Sequence, residues 1–237
     1  MQTTACYQCA LPLHGLDAVP AAQGCASAVG GRSRHPASRN TSASMHVAGC
    51  AGTASPLCGR CLKDPPSYDH TLSVFRYAHP IDHLIHDLKF NRKLAIARLL
   101  GELMAQQIKK RARLTSSPFP QLIIPVPLHT ARLRERGYNQ ATELARPIAR
   151  ALNIPIDYQH CQRQRATAIQ SDLPASERSR NVKGVFSVAK KFPARHVAIV
   201  DDVMTTGATV AEFATTLRSA GVEKIEVWVC ARAALKF

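Results

Sequence analysis

Residues 197–209 read VAIVDDVMTTGAT, and the fold turns on them. Four apolar, strand-type residues from Val197 to Val200 run into two adjacent carboxylates, Asp201 and Asp202. A loop containing Thr205, Thr206, Gly207, Ala208 and Thr209 comes next. Val210, Phe213, Ala214 and Leu217 then recur at helical spacing. A strand, a small-residue loop and a helix start make a phosphate cradle, because unpaired backbone N–H groups and the positive helix end converge there. Carboxylates where the strand opens suit the vicinal hydroxyls of a sugar. Acid pair and cradle together read as a ribose 5-phosphate site. The plainer alternative is an Asp pair capping a turn, with the threonines capping a helix.

This order of strand, acid pair and T-T-G-x-T resembles the signature of type I phosphoribosyltransferases, which bind 5-phosphoribosyl-1-pyrophosphate (PRPP). The resemblance implies that Thr205, Thr206, Gly207, Ala208 and Thr209 hold the 5-phosphate and that Asp201 and Asp202 hold the ribose hydroxyls. It also implies magnesium bridging those hydroxyls and the pyrophosphate.

The surrounding sequence fits one sheet. Strands are expected at 71–77, 122–126, 156–161, 196–200 and 224–230, and helices at 81–88, 94–108, 139–152 and 207–220. Strands alternating with helices predict an α/β fold: a parallel sheet with flanking helices and ligands above its carboxyl edge. Two loops add chemistry. Residues 125–140 read PVPLHTARLRERGYNQ, where Arg132, Arg134 and Arg136 supply fixed cations for a pyrophosphate, or else form an exposed basic helix start. Residues 163–186 are long, polar and basic, the pattern of a lid rather than a core element.

At the other end, Cys6-x-x-Cys9 and Cys58-x-x-Cys61 each have zinc-knuckle spacing, and together they complete a four-sulfur site. So small a segment needs such a staple. Residues 15–54, rich in Ala, Ser and Gly, suggest a mobile insertion. Within it, Cys25, His35, His46 and Cys50 could form a second metal site, but their spacings match no standard finger. Cys230 reads as core packing, and Cys161 is expected at a strand end near the lid, with no motif that marks an activating base.

The paired C-x-x-C, the run Arg132, Arg134, Arg136, Gly137, Tyr138, Asn139, Gln140, and the run Gln170, Ser171, Leu173, Glu177, Arg178, Asn181, Val182, Gly184, Phe186 narrow the resemblance. Together they resemble the ComF family of competence-associated, phosphoribosyltransferase-like proteins. That resemblance implies a type I phosphoribosyltransferase-like domain at 68–237, a structural zinc module at 1–67, and a cytoplasmic role in DNA uptake during natural transformation. The insertion at 15–54 departs from the family's usually compact zinc ribbon. No residue stands out as a general base for an incoming nucleobase, so turnover and the acceptor stay open.

A chain of 237 residues with 46% hydrophobic content builds one good core plus a small appendage. It has no apolar run of about 18 residues, and its start lacks a signal-peptide pattern, which leads to the cytoplasmic expectation. Formal charge is +15 and the pI is about 9.9. Phosphate-rich substrates explain part of that excess, and single-stranded DNA is the rival explanation for the rest. Lys89, Arg92, Lys93, Arg98, Lys109, Lys110, Arg111 and Arg113 stand against Glu102 alone within 89–113; they are either a nucleic-acid footprint or a solvated helix face. Aromatic content of 5% leaves few base-stacking platforms. Under the rival reading, the protein is a non-catalytic nucleic-acid-binding factor that retains the fold. A third reading, partnership with the DNA-uptake machinery, rests on the family resemblance.

Overall fold

The computed structural model describes residues 5–11, 19–20, 56–165, 182–189 and 192–234. In chain order the elements are β1 (Val19–Pro20), β2 (Pro56–Leu57), α1 (Gly59–Lys63), β3 (His70–Arg76), α2 (Ile81–Phe90), α3 (Leu94–Thr115), β4 (Leu122–Pro125) and α4 (Thr130–Arg136). They continue with α5 (Gln140–Leu152), β5 (Cys161–Arg163), β6 (Phe186–Val188), β7 (His196–Met204), α6 (Ala208–Ser219) and β8 (Lys224–Arg232).

Four strands form one all-parallel sheet in the order β3-β8-β7-β4. Its central strands are apolar on both faces, as a sheet covered by helices requires. Side chains alternate across the sheet. Val197, Ile199, Ile225, Val227 and Val229 face one core with Phe213 and Leu217 of α6. Ala198, Val200, Trp228 and Cys230 face the other, filled by Ile85 and Leu88 of α2, Leu100 and Met104 of α3, and Leu144 and Ile148 of α5. Cys230 is therefore core packing, as its strand position suggests.

The α3–α5 contact fixes where α5 begins, and α5 begins at the ligand edge. Gly101 makes this close approach possible: a Cβ there would lie 2.3 Å from Pro147 Cγ and 2.7 Å from the Leu144 carbonyl oxygen. Neither neighbour can yield, because one is a ring and the other backbone.

Three expectations change. The strand expected at 156–161 is a single bridge, Ile156 beside Ile123, because the Asp157 carboxylate turns the chain by accepting from the amides of Gln159 and His160. The 125–140 loop contains a helix, α4, entered through His129 Nδ1, which accepts from Ala131 N at 3.2 Å. The expected lid is core at its ends. β5 and β6 pair antiparallel, Val182, Val185 and Phe186 are buried, and the Phe186 ring packs 4.8 Å from that of Phe213. Residues 166–181, with Gln170, Ser171, Leu173, Glu177, Arg178 and also Asn181, lie outside the described residues.

The N-terminal segment docks on the edge strand β3. Thr71 N donates to Tyr7 O at 3.1 Å, and Arg111 of α3 lies 5.1 Å over the Tyr7 ring. Part of the expected insertion, β1, pairs antiparallel with β2. Cys25, His35, His46 and Cys50 lie outside the described residues. Among the described residues no helix is long and apolar enough to cross a membrane.

Candidate ligand site and cysteine cluster

β7 does not stop at Val200 but runs on to Met204, so the acid pair sits within a strand. Adjacent strand residues point to opposite faces. Asp202 therefore turns towards α2, where its Oδ2 meets Lys89 Nζ at 2.9 Å, while its Oδ1 accepts from Val203 N at 2.6 Å. Burial disfavours the Lys89 ammonium, but the Asp202 carboxylate outweighs it and raises the lysine above its usual range. Asp202 is 8% exposed and committed to these partners. Asp201 turns to the other face. Its Oδ1 accepts from Asp202 N at 2.9 Å, and its Oδ2 has no hydrogen-bond partner among the described residues. Burial and then the Asp202 charge push the Asp201 carboxyl up to about 7, against the pull of Lys89 and Arg163.

Both carboxylates open into a cavity of about 440 Å³ at the carboxyl edge of the sheet. Thr205, Thr206 and Gly207 form one wall together with Ala208 and Thr209 of the first turn of α6. Gly207 sits at φ +85°, which a side chain would strain, and a Cβ there would lie 2.7 Å from Met204 Cε. The amides of Thr205, Thr206 and Gly207 have no protein acceptor among the described residues, so they remain available to an anion. Opposite stand Arg132 and Arg136. Arg134, on the same short helix, lies outside the lining. Neither histidine nor cysteine lines this cavity among the described residues.

Two cations that the sequence did not assign to this site complete the lining, Lys89 from α2 and Arg163 from β5. Nothing local in the sequence distinguishes Lys89 from the seven other cations of the 89–113 run. That run does not act as a unit. Lys93 pairs with Asp87 at 2.8 Å, Arg98 with Glu102 at 3.0 Å, and Arg111 stacks on Tyr7. Lys110 and Arg113 remain on the exposed face near the end of α3.

The R-G-Y-N-Q run lines the cavity through Arg136, Asn139 and Gln140 and also serves as architecture. Arg136 Nη1 donates to Gln140 Oε1 at 3.1 Å, and the Tyr138 hydroxyl donates to the Leu88 carbonyl on α2. Asn139 caps α5 by accepting from Ala141 N at 3.0 Å and ties it to the sheet by donating to Val126 O at 2.9 Å. These bonds seat α2, α4 and α5 around the cavity mouth.

The second cluster is built from sulfur. Cys6, Cys9, Cys58 and Cys61 place their sulfurs within 4.8 Å of one another, with Cys9 Sγ 3.7 Å from Cys58 Sγ. A tetrahedral ion with bonds of about 2.3 Å to sulfur sets its ligands about 3.8 Å apart, so the set fits zinc. Cys58 N also donates to Cys6 Sγ at 3.3 Å. Hydrogen bonds from Cys61 and Cys9 pull the Cys6 thiol far down, and the sharing pushes Cys9 up to about 12 and Cys61 higher still. One thiolate shared among neighbouring thiols is the arrangement a cation would replace.

A family model, the phosphoribosyl transferase domain, matches residues 139–235. The DNA utilization protein YhgH of Salmonella typhi is 42% identical over 182 residues, covering 77% of this chain and 80% of that protein. Competence protein F of Haemophilus influenzae is 41% identical over 179 residues, covering 74% of this chain and 78% of that protein.

The chain belongs to the ComF family.

As a ComF-family protein it carries its phosphoribosyltransferase-type loop inside the matched region, and its cysteine cluster lies N-terminal to that region. Among solved structures, the glutamine PRPP amidotransferase from B. subtilis complexed with ADP and GMP overlaps with a TM-score of 0.37 at 21% identity. That overlap covers 56% of this chain and 25% of that one, too slight a likeness to argue from.

Proposed function

We propose that this protein binds PRPP with magnesium in the cavity at the end of β7 and acts in the handling of DNA during uptake. The reading divides the chain into a zinc module at 1–67 and a phosphoribosyltransferase-like domain at 68–237. The observation that carries it is the pairing, in one cavity, of amides at 205–207 that have no acceptor among the described residues with Asp201 and the cations Arg132, Arg136 and Arg163. The loop amides and the start of α6 would hold the 5-phosphate. Asp201, one of whose oxygens has no partner among the described residues, would accept from the ribose hydroxyls, while Asp202 would keep Lys89 aimed at the cavity. The arginines would take the pyrophosphate. Magnesium, when bound, supplies a hard cation for carboxylate and phosphate oxygens. Were pyrophosphate to leave, the carboxylates would stabilise charge on the sugar carbon and the arginines charge on the departing group. The cysteine cluster would hold structural zinc. The protein would work in the cytoplasm, the setting in which paired C-x-x-C motifs hold metal rather than form disulfides.

Calorimetric titration with PRPP and magnesium across pH tests the reading. A carboxyl held at about 7 is protonated below that pH, loses the charge that holds the cation, and accepts from the hydroxyls only through a weaker neutral oxygen. Affinity should therefore rise from pH 6 to 8 and level off above it. Lys89→Met removes a charge that favours the ionised form of Asp201, so the midpoint should move to higher pH. Absence of binding at pH 8 would reject the site, and a flat profile would reject the role of Asp201.

A DNA-binding surface is the second reading. It is favoured by the +15 charge and by relatives named for DNA utilization and competence. Single-stranded DNA contacting about four phosphates should show a slope near −3 in log K against log salt. Lys110→Glu with Arg113→Glu should flatten that slope by about one unit or more. Salt-independent binding, or none, would remove this reading without touching the PRPP site.

A further inference from the structure

The cysteine cluster and the phosphate loop meet at one side chain that neither motif includes. Arg232, at the end of β8, is 4% exposed. Its Nε donates to Cys9 O at 2.8 Å. On the other side Nη1 donates to Met204 O at 2.7 Å, to Thr205 O, and to Ala233 O at 3.2 Å. One guanidinium thus bridges the backbone of the first C-x-x-C turn and the backbone that opens the loop.

Inside the loop itself, Ala208 N donates to Thr206 Oγ1 at 3.3 Å. Among the described residues, two carbonyls of 205–207 are engaged: Gly207 O accepts from Ala211 N at 2.9 Å, and Thr205 O accepts from Arg232. Open space lies on both sides of it. Thr206, Gly207 and Ala208 line the ligand cavity and also a second cavity of about 270 Å³ bounded by Cys9, Cys61 and Arg232. A thin wall between two cavities takes whatever position its anchors dictate. A guanidinium keeps its charge in a protein, and burying that charge without acceptors is costly. If the cysteine turn loosens, Cys9 O withdraws and Arg232 must re-form its bonds at the expense of the loop carbonyls.

We propose that Arg232 is a positioning residue that couples the two sites, so that metal on the four cysteines and a phosphoribosyl ligand in the loop tighten each other's binding. This rests on the PRPP reading above and adds regulation of that site by metal occupancy. Linkage requires the effect to be equal in both directions.

The test uses the zinc-loaded full chain with a zinc-selective chelator, in saturating magnesium, with and without PRPP. PRPP should raise the chelator concentration that removes half the zinc by about fivefold or more, within the usual range of coupling. Arg232→Lys keeps the charge but replaces the planar fork with a single point, so the factor should fall below about twofold while PRPP still binds. Direct titration of PRPP into the zinc-loaded wild type separates the outcomes. No PRPP binding sinks both readings. Binding with a wild-type factor of one, or an undiminished factor in Arg232→Lys, overturns the coupling alone. Should that variant fail to fold, hydrogen exchange of the wild-type amides at 205–207 decides. Zinc removal should speed it about fivefold or more, and unchanged exchange overturns the proposal.

Discussion

Cys61→Ser should lower zinc affinity by two to three orders of magnitude and melt the N-terminal module while leaving the parallel sheet intact. The reason lies in what holds the described part of that module. Among the described residues its core is Cys6, Cys9 and Cys61, with Leu11, Leu57 and Cys58 packed against them. A core made mostly of sulfur depends on the ion its thiolates share. A structural zinc site contributes about 10–16 kcal/mol in apparent terms, so one thiolate of four accounts for roughly 3–4 kcal/mol, a few hundredfold in affinity. The domain behind it has two large cores of its own on either face of the sheet. Chelator competition should report the lost affinity, circular dichroism a nearly unchanged sheet, and limited proteolysis new cuts ahead of β3. Unaltered zinc affinity with an unaltered cleavage pattern would mean that the four sulfurs do not share an ion.

The second large effect concerns the acid pair, whose members should not be equal. Asp201→Asn should weaken PRPP binding in magnesium about 100-fold, near the ~3 kcal/mol upper end for hydrogen bonds to charged groups. Asp202→Asn should cost less affinity but more stability, because it leaves the half-buried Lys89 without its counter-ion. The double variant should show no ligand-induced rise in melting temperature. If Asp202→Asn proved the more damaging to affinity, the division of labour drawn from the strand alternation would be wrong.

Much of the architecture was readable in the chain. Residues 197–209 announced a strand, a turn and a helix, and β7, the loop and α6 follow in that order. The C-x-x-C spacings brought four sulfurs together across 48 intervening residues, since a tight turn holds each pair whatever lies between. Periodicity failed where side chains rather than burial set the backbone. Asp157 cut short the strand expected at 156–161, and His129 started a helix in the 125–140 segment, where a basic helix start was the alternative to a loop. It also failed for long-range cations. Lys89, Arg163 and Arg232 gain their roles from partners 113, 38 and 223 positions away, namely Asp202, Asp201 and Cys9. No local pattern encodes such distances. In the other direction, Arg134 shares the spacing of Arg132 and Arg136 yet lies off the cavity, because a seven-residue helix cannot turn three alternating side chains to one face.

The bonds made by Tyr138 and Asn139 bear on how relatives should be interpreted. Both act as joinery between helices and sheet. A homologue could keep the G-Y-N-Q spelling intact while replacing Arg132, Arg136 and Asp201, and it would still assemble this scaffold around an empty mouth. In such a lineage the motif would testify to shape, and only the charges would testify to cargo.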